Sequence, residues 1–411
     1  KKHCWDHALE RKMLSIALKA LQDKHGPTVL TSINKQILRE ISNVTFSKIS
    51  TLKASSKDYL MGQVVPDYHD GMTKKEYLDE FKKLNPSLKG KRPRVITVLS
   101  ELIKSYKDET SDDFPTPWKV TLWSMNVLVK RGWVYSDSFI KDQHNGVREI
   151  HVLEILARMI QYHMELMAKV ICRFFDNDTV ATPDIKKTFI NTHEKVSETK
   201  LGRHISVNKS ADASKWCQRN HVSQFFFEMC YFTDKIFHPF LYCFFWLWTH
   251  KRIAVPPELL SNLDRNRGVT TSNEEYIEMM TLYHKGEPPF MEKRGSMVEI
   301  DFGMMQGICH CASCLKHDIY QTAWRELASE MMRTQFKMEH HITIIQGSDD
   351  SGAMISIPDS HKAFVMVAIV LLWWKEKLSE YGSIWTSIAK SSIGTINLIE
   401  YNSDWYIHGR N

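Results

Sequence analysis

The 411-residue sequence has no internal repeat and no low-complexity tract, which excludes solenoids and scaffolds strung on long linkers. It has no apolar run of bilayer length. The longest, residues 363–374, ends in Lys375-Glu376-Lys377, so no membrane span is expected and the run reads as a buried helix. No apolar stretch followed by small residues marks a signal peptide near Lys1-Lys2-His3, and the patterned segment runs right up to Asn411, so a piece of a longer polypeptide is expected. The 8 cysteines are scattered (Cys4, Cys172, Cys217, Cys230, Cys243, Cys309, Cys311 and Cys314) and do not read as a disulfide framework; a reduced, intracellular setting follows. Charge of one sign is also scarce. A net +6 identifies a nucleic-acid binder only if it is concentrated in a groove. What is present is apolar material, 43% hydrophobic and 11% aromatic, enough for two or three packed subdomains.

The first two hundred residues carry mainly helical periodicity, as in 7–22 and 152–175, broken by polar loops. One of these, 85–94, is basic and marked by Pro and Gly, and reads as a solvated loop. From His204 the pattern changes to short β-type runs that end in acidic turns and lead into helices. Residues 204–207 lead into Ser210-Ala211-Asp212-Ala213-Ser214-Lys215-Trp216 and a Phe-rich helix. Residues 341–345 lead into Gly347-Ser348-Asp349-Asp350-Ser351-Gly352, with 353–357 as a second strand. Residues 395–399 lead into Glu400-Tyr401-Asn402-Ser403. Between the first two, Gln306-Gly307 precedes helical periodicity over 311–332. The expected class is α+β, an antiparallel sheet with helices packed on one face.

Asp349 and Asp350 fall at an expected hairpin tip, where two carboxylates between apolar strands repel each other unless a cation neutralises them. Mg²⁺ suits a few carboxylates drawn from neighbouring strands, and Asp212 is the natural partner. Two ions held this way serve an in-line phosphoryl transfer. A plain hairpin turn has the same composition. The order of an isolated strand-end Asp, a Gln-Gly before a helix, an Asp-Asp hairpin and a later Lys favours the chemical reading.

These blocks resemble the polymerase module of the L proteins of bunyaviruses, segmented negative-strand RNA viruses, over roughly 139–411, with a nairovirus-like cast to the wording. Asp212-Ala213-Ser214-Lys215-Trp216 resembles motif A, the run from Gln306 through Ser313 to His317 motif B, and Ser348-Asp349-Asp350 motif C. Lys390-Ser391 resembles motif D and Glu400 to Ser403 motif E, while the block Lys141 to Ile150 resembles motif F. Asn145 stands where a glycine is common and Cys314 where a second serine is common.

The resemblance implies a right-handed polymerase fold with helical fingers, antiparallel-sheet palm and the start of a thumb. The divisions would be 1–202 for the fingers region including motif F at 139–150, 203–235 for palm with motif A, 236–295 for a fingers insertion, 296–394 for palm with motifs B, C and D, and 395–411 for motif E and the thumb. It further implies an RNA-directed RNA polymerase, a nucleotidyltransferase serving viral genome replication and transcription with two Mg²⁺ or Mn²⁺ ions. Asp212, Asp349 and Asp350 would hold metal, with Glu400 as a further ligand, and Lys390 would be the general acid for pyrophosphate. Nucleotide binding would fall to Lys141, Gln143, Arg148, Lys215, Gln306 and Gly307. Template RNA would meet Trp216, Ser313, Lys251 and Arg252. Implied partners are viral RNA template and product, nucleoside triphosphates, the viral nucleoprotein, and the endonuclease, cap-binding, thumb and lid domains of the same polypeptide, in host cytoplasm and virion.

Other readings are set against this one. Cys309, Cys311, Cys314 and His317 have residue types that bind zinc, but they enter an expected helix and read as core. Pro66-Asp67 followed by Asp79-Glu80-Phe81-Lys82 imitates a metal nuclease, yet reads as an exposed helix over 74–84. The aromatic cluster over 225–248 reads as core rather than as a base-stacking platform. The rival functions are a reverse transcriptase-like polymerase and a catalytically silent RNA-binding or scaffold module.

Overall fold

The computed structural model describes residues 5–49, 95–143, 146–214, 216–265, 271–301, 303–305, 308–396, 398–401 and 404–407, with scattered positions from 55 to 83. Helices are α1 (His7–His25), α2 (Val29–Ser42), α3 (Val95–Thr110), α4 (Pro117–Arg131), α5 (Ile155–Cys172), α6 (Ile185–Leu201), α7 (Val222–Phe232), α8 (His238–Trp248), α9 (Pro257–Arg265), α10 (Glu274–Lys285), α11 (His310–Thr334) and α12 (Val365–Glu380). Strands are β1 (Val134–Gln143), β2 (Gly146–Leu153), β3 (His204–Asp212), β4 (Lys251–Ala254), β5 (Met297–Ile300), β6 (His341–Gln346), β7 (Asp350–Pro358), β8 (Ser392–Ile396), β9 (Leu398–Tyr401) and β10 (Asp404–Ile407). The class is α+β, as expected.

The chain forms two compact units. One comprises Lys1–Glu40, Glu165–His238 and Cys309–Asn411, the other Ile41–Met164 and Pro239–Ile308. The first is built on an antiparallel sheet of order β6-β7-β3-β8, with β9 and β10 as a separate pair. α11 is its central helix. Every position from Ala312 to Trp324 is buried, so this stretch of the helix has no solvent face to be amphipathic about, and exposed positions appear only from Glu330 on. α1 packs against it through Met13, Leu14, Ala17 and Leu21, and starts where the Asp6 carboxylate accepts the Ala8 and Leu9 N–H groups.

Helices cover the sheet on both faces, where one face was expected. Lys209 of β3 and Ser351 of β7 reach α12, whereas Ser206 and Ser356 of the same strands reach α6. Odd and even positions of a strand point to opposite faces, so the two helices lie on opposite sides. Accordingly β7 is buried at seven consecutive positions, 351–357, instead of alternating.

The second unit holds the sheet β2-β1-β4-β5, in which β1 and β4 run parallel. α4 begins at the Thr116 cap with Pro117 in its first turn and ends at Gly132, whose φ of 86° suits glycine. Beyond it, Arg131 pairs with Glu154, and the Tyr135 N–H donates to the same carboxylate at 2.8 Å. A smaller core gathers Val255, Leu260, Leu263, Tyr283 and Met291.

Further expectations change. The stretch expected to be mainly helical contains the β1–β2 hairpin, and the helix read over 152–175 begins at Ile155 because Val152 and Leu153 pair with β1. The run 395–399 is divided, with Thr395 and Ile396 in β8 on β3 and Leu398 and Ile399 in β9 on β10. The apolar run in α12 is buried on one side only: Met366, Val370 and Trp373, spaced four and three apart, are each more than half exposed. Residues 85–94 lie outside the described residues. So do most of 59–84, although Lys75, Glu76, Asp79, Glu80 and Lys83 are helical and exposed.

Candidate active site

β3 and β7 pair antiparallel from His204↔Pro358 to Asp212↔Asp350. Directly opposed residues leave a sheet on the same face, so the strand register alone sets these two carboxylates side by side. β6 and β7 form a hairpin whose turn is closed by the Gly347 N–H donating to the Asp350 carbonyl at 2.8 Å. The corner is fastened to β3 when the Ala213 N–H donates to the Asp349 carbonyl at 3.0 Å. Asp212, Asp349 and Asp350, remote in sequence, are therefore one corner of the structure.

A second segment is clasped to the same corner. The Ser387 N–H donates to the Asp212 carbonyl at 2.7 Å, the Asp212 N–H donates to the Ser391 hydroxyl oxygen at 3.1 Å, and the Ser214 N–H donates to the Trp385 carbonyl at 2.6 Å. This places the Lys390 ammonium 3.2 Å from Asp212 Oδ2, with 72% of the lysine side chain exposed. The sequence pointed to Lys390. It did not point to the roles of Ser387 and Ser391, because backbone clasps of this kind carry no side-chain signature.

Beneath the corner lies a small cavity lined by Ala211, His317, Asp349, Ser351 and Lys375 among others. The Ser348 hydroxyl donates to Asp349 Oδ1 at 3.1 Å, and His317 Nδ1 donates to the Ser348 carbonyl at 3.2 Å. Burial pushes the His317 pKa down to about 3, so the ring is neutral and its Nδ1 carries the proton. Two buried lysines share one carboxylate here. Lys209 pairs with Glu376, and Lys375 lies 3.6 Å from the same group while donating to the Ser351 hydroxyl at 3.2 Å. Burial lowers both, Lys375 to about 7 and Lys209 well below the usual lysine range.

The expected RNA contacts fare differently. Trp216 is buried, with Lys316 5.7 Å from its ring centroid and His317 packed on it at 5.4 Å. Ser313 is buried too and donates to the His310 carbonyl at 2.8 Å. Both face the interior because α11 is enclosed on all sides from Ala312 to Trp324. The basic pair separates: Lys251 is buried and donates to the Trp248 and Asp301 carbonyls, while Arg252 meets Glu299 at 3.2 Å and stacks 4.8 Å from Trp133. A template role for Trp216, Ser313 or Lys251 would need these contacts to open.

In the other unit, Lys141 and Arg148 are register partners in the β1–β2 hairpin, as are Gln143 and Gly146; the side chains of Lys141, Gln143 and Arg148 lie outside the described residues. So do Lys215, Gln306, Gly307 and the side chain of Glu400, whose backbone pairs with Trp405. Phe225, Phe244, Phe245 and Trp248 are buried core, as read from their spacing. The four residues weighed for zinc do not assemble. Among the described residues the one such group is Cys172, Asp178 and Asp318. No helix among them is long and apolar enough to cross a membrane.

An α+β chain with two aspartates in register at a hairpin corner and a lysine clasped beside them matches a family model described as bunyavirus RNA dependent RNA polymerase over residues 32–411, and the chain belongs to that family. Among individual proteins it is similar to the RNA-directed RNA polymerase L of Uukuniemi virus (strain S23), 27% identical over 94% of this chain and 18% of the relative. The same-named proteins of Dabie bandavirus (28% identical, 99% of this chain, 19% of the relative) and Rice stripe virus (isolate T; 29%, 100% and 15%) are also similar. The chain thus spans less than a fifth of the length of these curated relatives.

Proposed function

We propose that the β3–β7 corner is the catalytic centre of template-directed RNA synthesis in a right-handed polymerase fold, with the sheet β6-β7-β3-β8 as palm and the segments 1–202 and 236–295 contributing fingers. The observation that carries this reading is the Asp212↔Asp350 register, which gives two carboxylates one face and one position. They form a fitting donor set for divalent ions, because two acidic side chains leave room for water and substrate phosphate in an octahedral shell. Two bound ions, Mg²⁺ or Mn²⁺, would supply activation of the attacking 3′-hydroxyl and charge compensation for the departing pyrophosphate.

The chain's own residues have defined tasks. Asp212 and Asp350 hold the ions, and Asp349, turned toward the cavity side, braces the turn through Ser348. Lys390, exposed and beside Asp212, delivers a proton to the leaving pyrophosphate oxygen. The opposed Lys141 and Arg148 receive the triphosphate, and Glu400 supplies a further ligand. Template RNA, nucleoside triphosphates, the viral nucleoprotein and the remaining domains of a longer L polypeptide are the partners of this reading, with infected-cell cytoplasm and virion as its setting.

The test is nucleotide incorporation by full-length polymerase carrying Asp350→Ala or Lys390→Ala. Asp350→Ala should abolish incorporation and leave RNA binding intact. Lys390→Ala should slow single-turnover chemistry at least tenfold, yet change stability by only about 0–1 kcal/mol, since an exposed ion pair contributes little. Full incorporation by the Asp350 variant would refute the assignment and favour a catalytically silent RNA-binding module.

A further inference from the structure

Behind the hairpin, where the catalytic reading uses no residue, three metal-capable side chains meet in the protein interior. Cys172 ends α5, Asp178 lies in the connection that follows, and Asp318 belongs to α11; one donor atom from each lies within 4.8 Å of the others, and all three residues are buried. Their neighbours supply few donors. Asp178 Oδ1 accepts the Val180 and Ala181 N–H groups at 2.6 and 2.8 Å, and Asp318 Oδ1 accepts from the Gln346 amide. Among the described residues the second oxygens of Asp178 and Asp318 have no hydrogen-bond donor from outside this cluster, and no lysine or arginine pairs with either acid. Gln346 is also fully buried and beside Asp318, and its Oε1 has no donor. The two carboxylates and the thiol, which donates to the Cys311 carbonyl at 3.6 Å, thus face one another without a compensating positive charge.

Such an arrangement is relieved by protons or by a cation. The donor types discriminate among ions. Mg²⁺ and Ca²⁺ take oxygen, whereas a thiolate with two carboxylates suits zinc. Tetrahedral zinc with bonds of about 2.0–2.3 Å separates its ligands by roughly 3.3–3.8 Å, inside the span seen here. A half-turn of the Gln346 amide, whose oxygen and nitrogen are interchangeable in shape, turns Oε1 toward Asp318 and offers it as a fourth ligand.

We propose that Cys172, Asp178 and Asp318, completed by Gln346, form a structural zinc site. Its place in the fold gives it a purpose. The Thr179 N–H donates to the Gln346 carbonyl and the Gln346 N–H to the Asn177 carbonyl, both at 2.8 Å, so the acid-bearing connection is already laced to the end of β6. An ion here ties α5, α11 and β6 together three residues before Asp349. The site is independent of the catalytic reading and uses a different metal.

Zinc content of full-length polymerase purified without chelator tests it, comparing wild type with Cys172→Ser and the nearly isosteric Asp318→Asn. Each variant should hold one equivalent less zinc than wild type. Cobalt-exchanged wild type should show a thiolate-to-cobalt charge-transfer band that Cys172→Ser lacks. The cobalt spectrum needs no variant to fold, so it remains decisive if both variants aggregate. Equal zinc in all three proteins, or cobalt-exchanged wild type without that band, would overturn the site and leave Asp178 and Asp318 sharing a proton. Loss of zinc with incorporation retained would separate this proposal from the catalytic one.

Discussion

His193 on α6 is held between two hydroxyls, Thr343 Oγ1 on β6 and Ser356 Oγ on β7, each 2.7 Å from a ring nitrogen. Burial, then the nearby His341 and His204, push its pKa from 6.5 down to about 3. The unfolded chain therefore takes up a proton between these values that the folded ring refuses. Stability from this residue is complete above pH 6.5 and is lost as pH falls toward 3. Glu228 works in the opposite sense, because burial raises it and its folded form prefers the proton. A comparison with His193→Gln isolates the histidine: on acidification the wild-type urea midpoint should fall relative to the variant's. Parallel midpoints from pH 7 to pH 4 would mean that the ring is protonated in the folded protein. At this scale the order of the motif blocks grouped Asp212, Asp350 and Lys390, which the fold sets at one corner. It carried no signal for the contacts of His193, Ser387 and Ser391, which lie in what the fold brings to them.

Gly382 follows α12 at a point where the backbone passes close to a buried ring. A Cβ at this position would come within 2.4 Å of the Tyr320 ring, which is itself buried and hydrogen-bonded to Glu10. Gly382→Ala should therefore destabilise the protein by about 1–3 kcal/mol, as overpacking of a rigid core does. An unchanged urea midpoint would show that the ring yields freely. Elements were legible in proportion to the clarity of their period. The hairpin 341–357 and the helix 310–334 were anticipated because Gly347 marks the turn between two strand-like runs and Gly307 precedes a helical period. α12 misled, since twelve successive apolar residues carry no polar stripe to mark the exposed side. The β1–β2 hairpin was missed because its charged residues resembled a motif block, which drew attention from their alternation. The break between β8 and β9 has no marker in Thr395-Ile396-Asn397-Leu398-Ile399, as it arises from two different pairing partners.

Neither compact unit is continuous in sequence. β3 lies between β7 and β8, so all of its pairing partners come from residues beyond 349. A chain stopped at Thr334 retains β3 without any of them. Its β3 amides should exchange with solvent unprotected, whereas in the whole chain an inner strand should be among the slowest to exchange. Slow β3 exchange in the shortened chain would show that α11 and its neighbours order the strand by themselves.

The register that joins Asp212 to Asp350 also has a cost in time. During synthesis Asp212 leaves the ribosome long before its counterpart, and everything from α7 to β6 must be added first. At translation rates of roughly 5–20 residues per second the wait is on the order of ten seconds. For that interval an inner strand of the sheet is made but unmatched. A nascent chain of this design gains from quick passage through that stretch, or from a chaperone that covers the waiting strand.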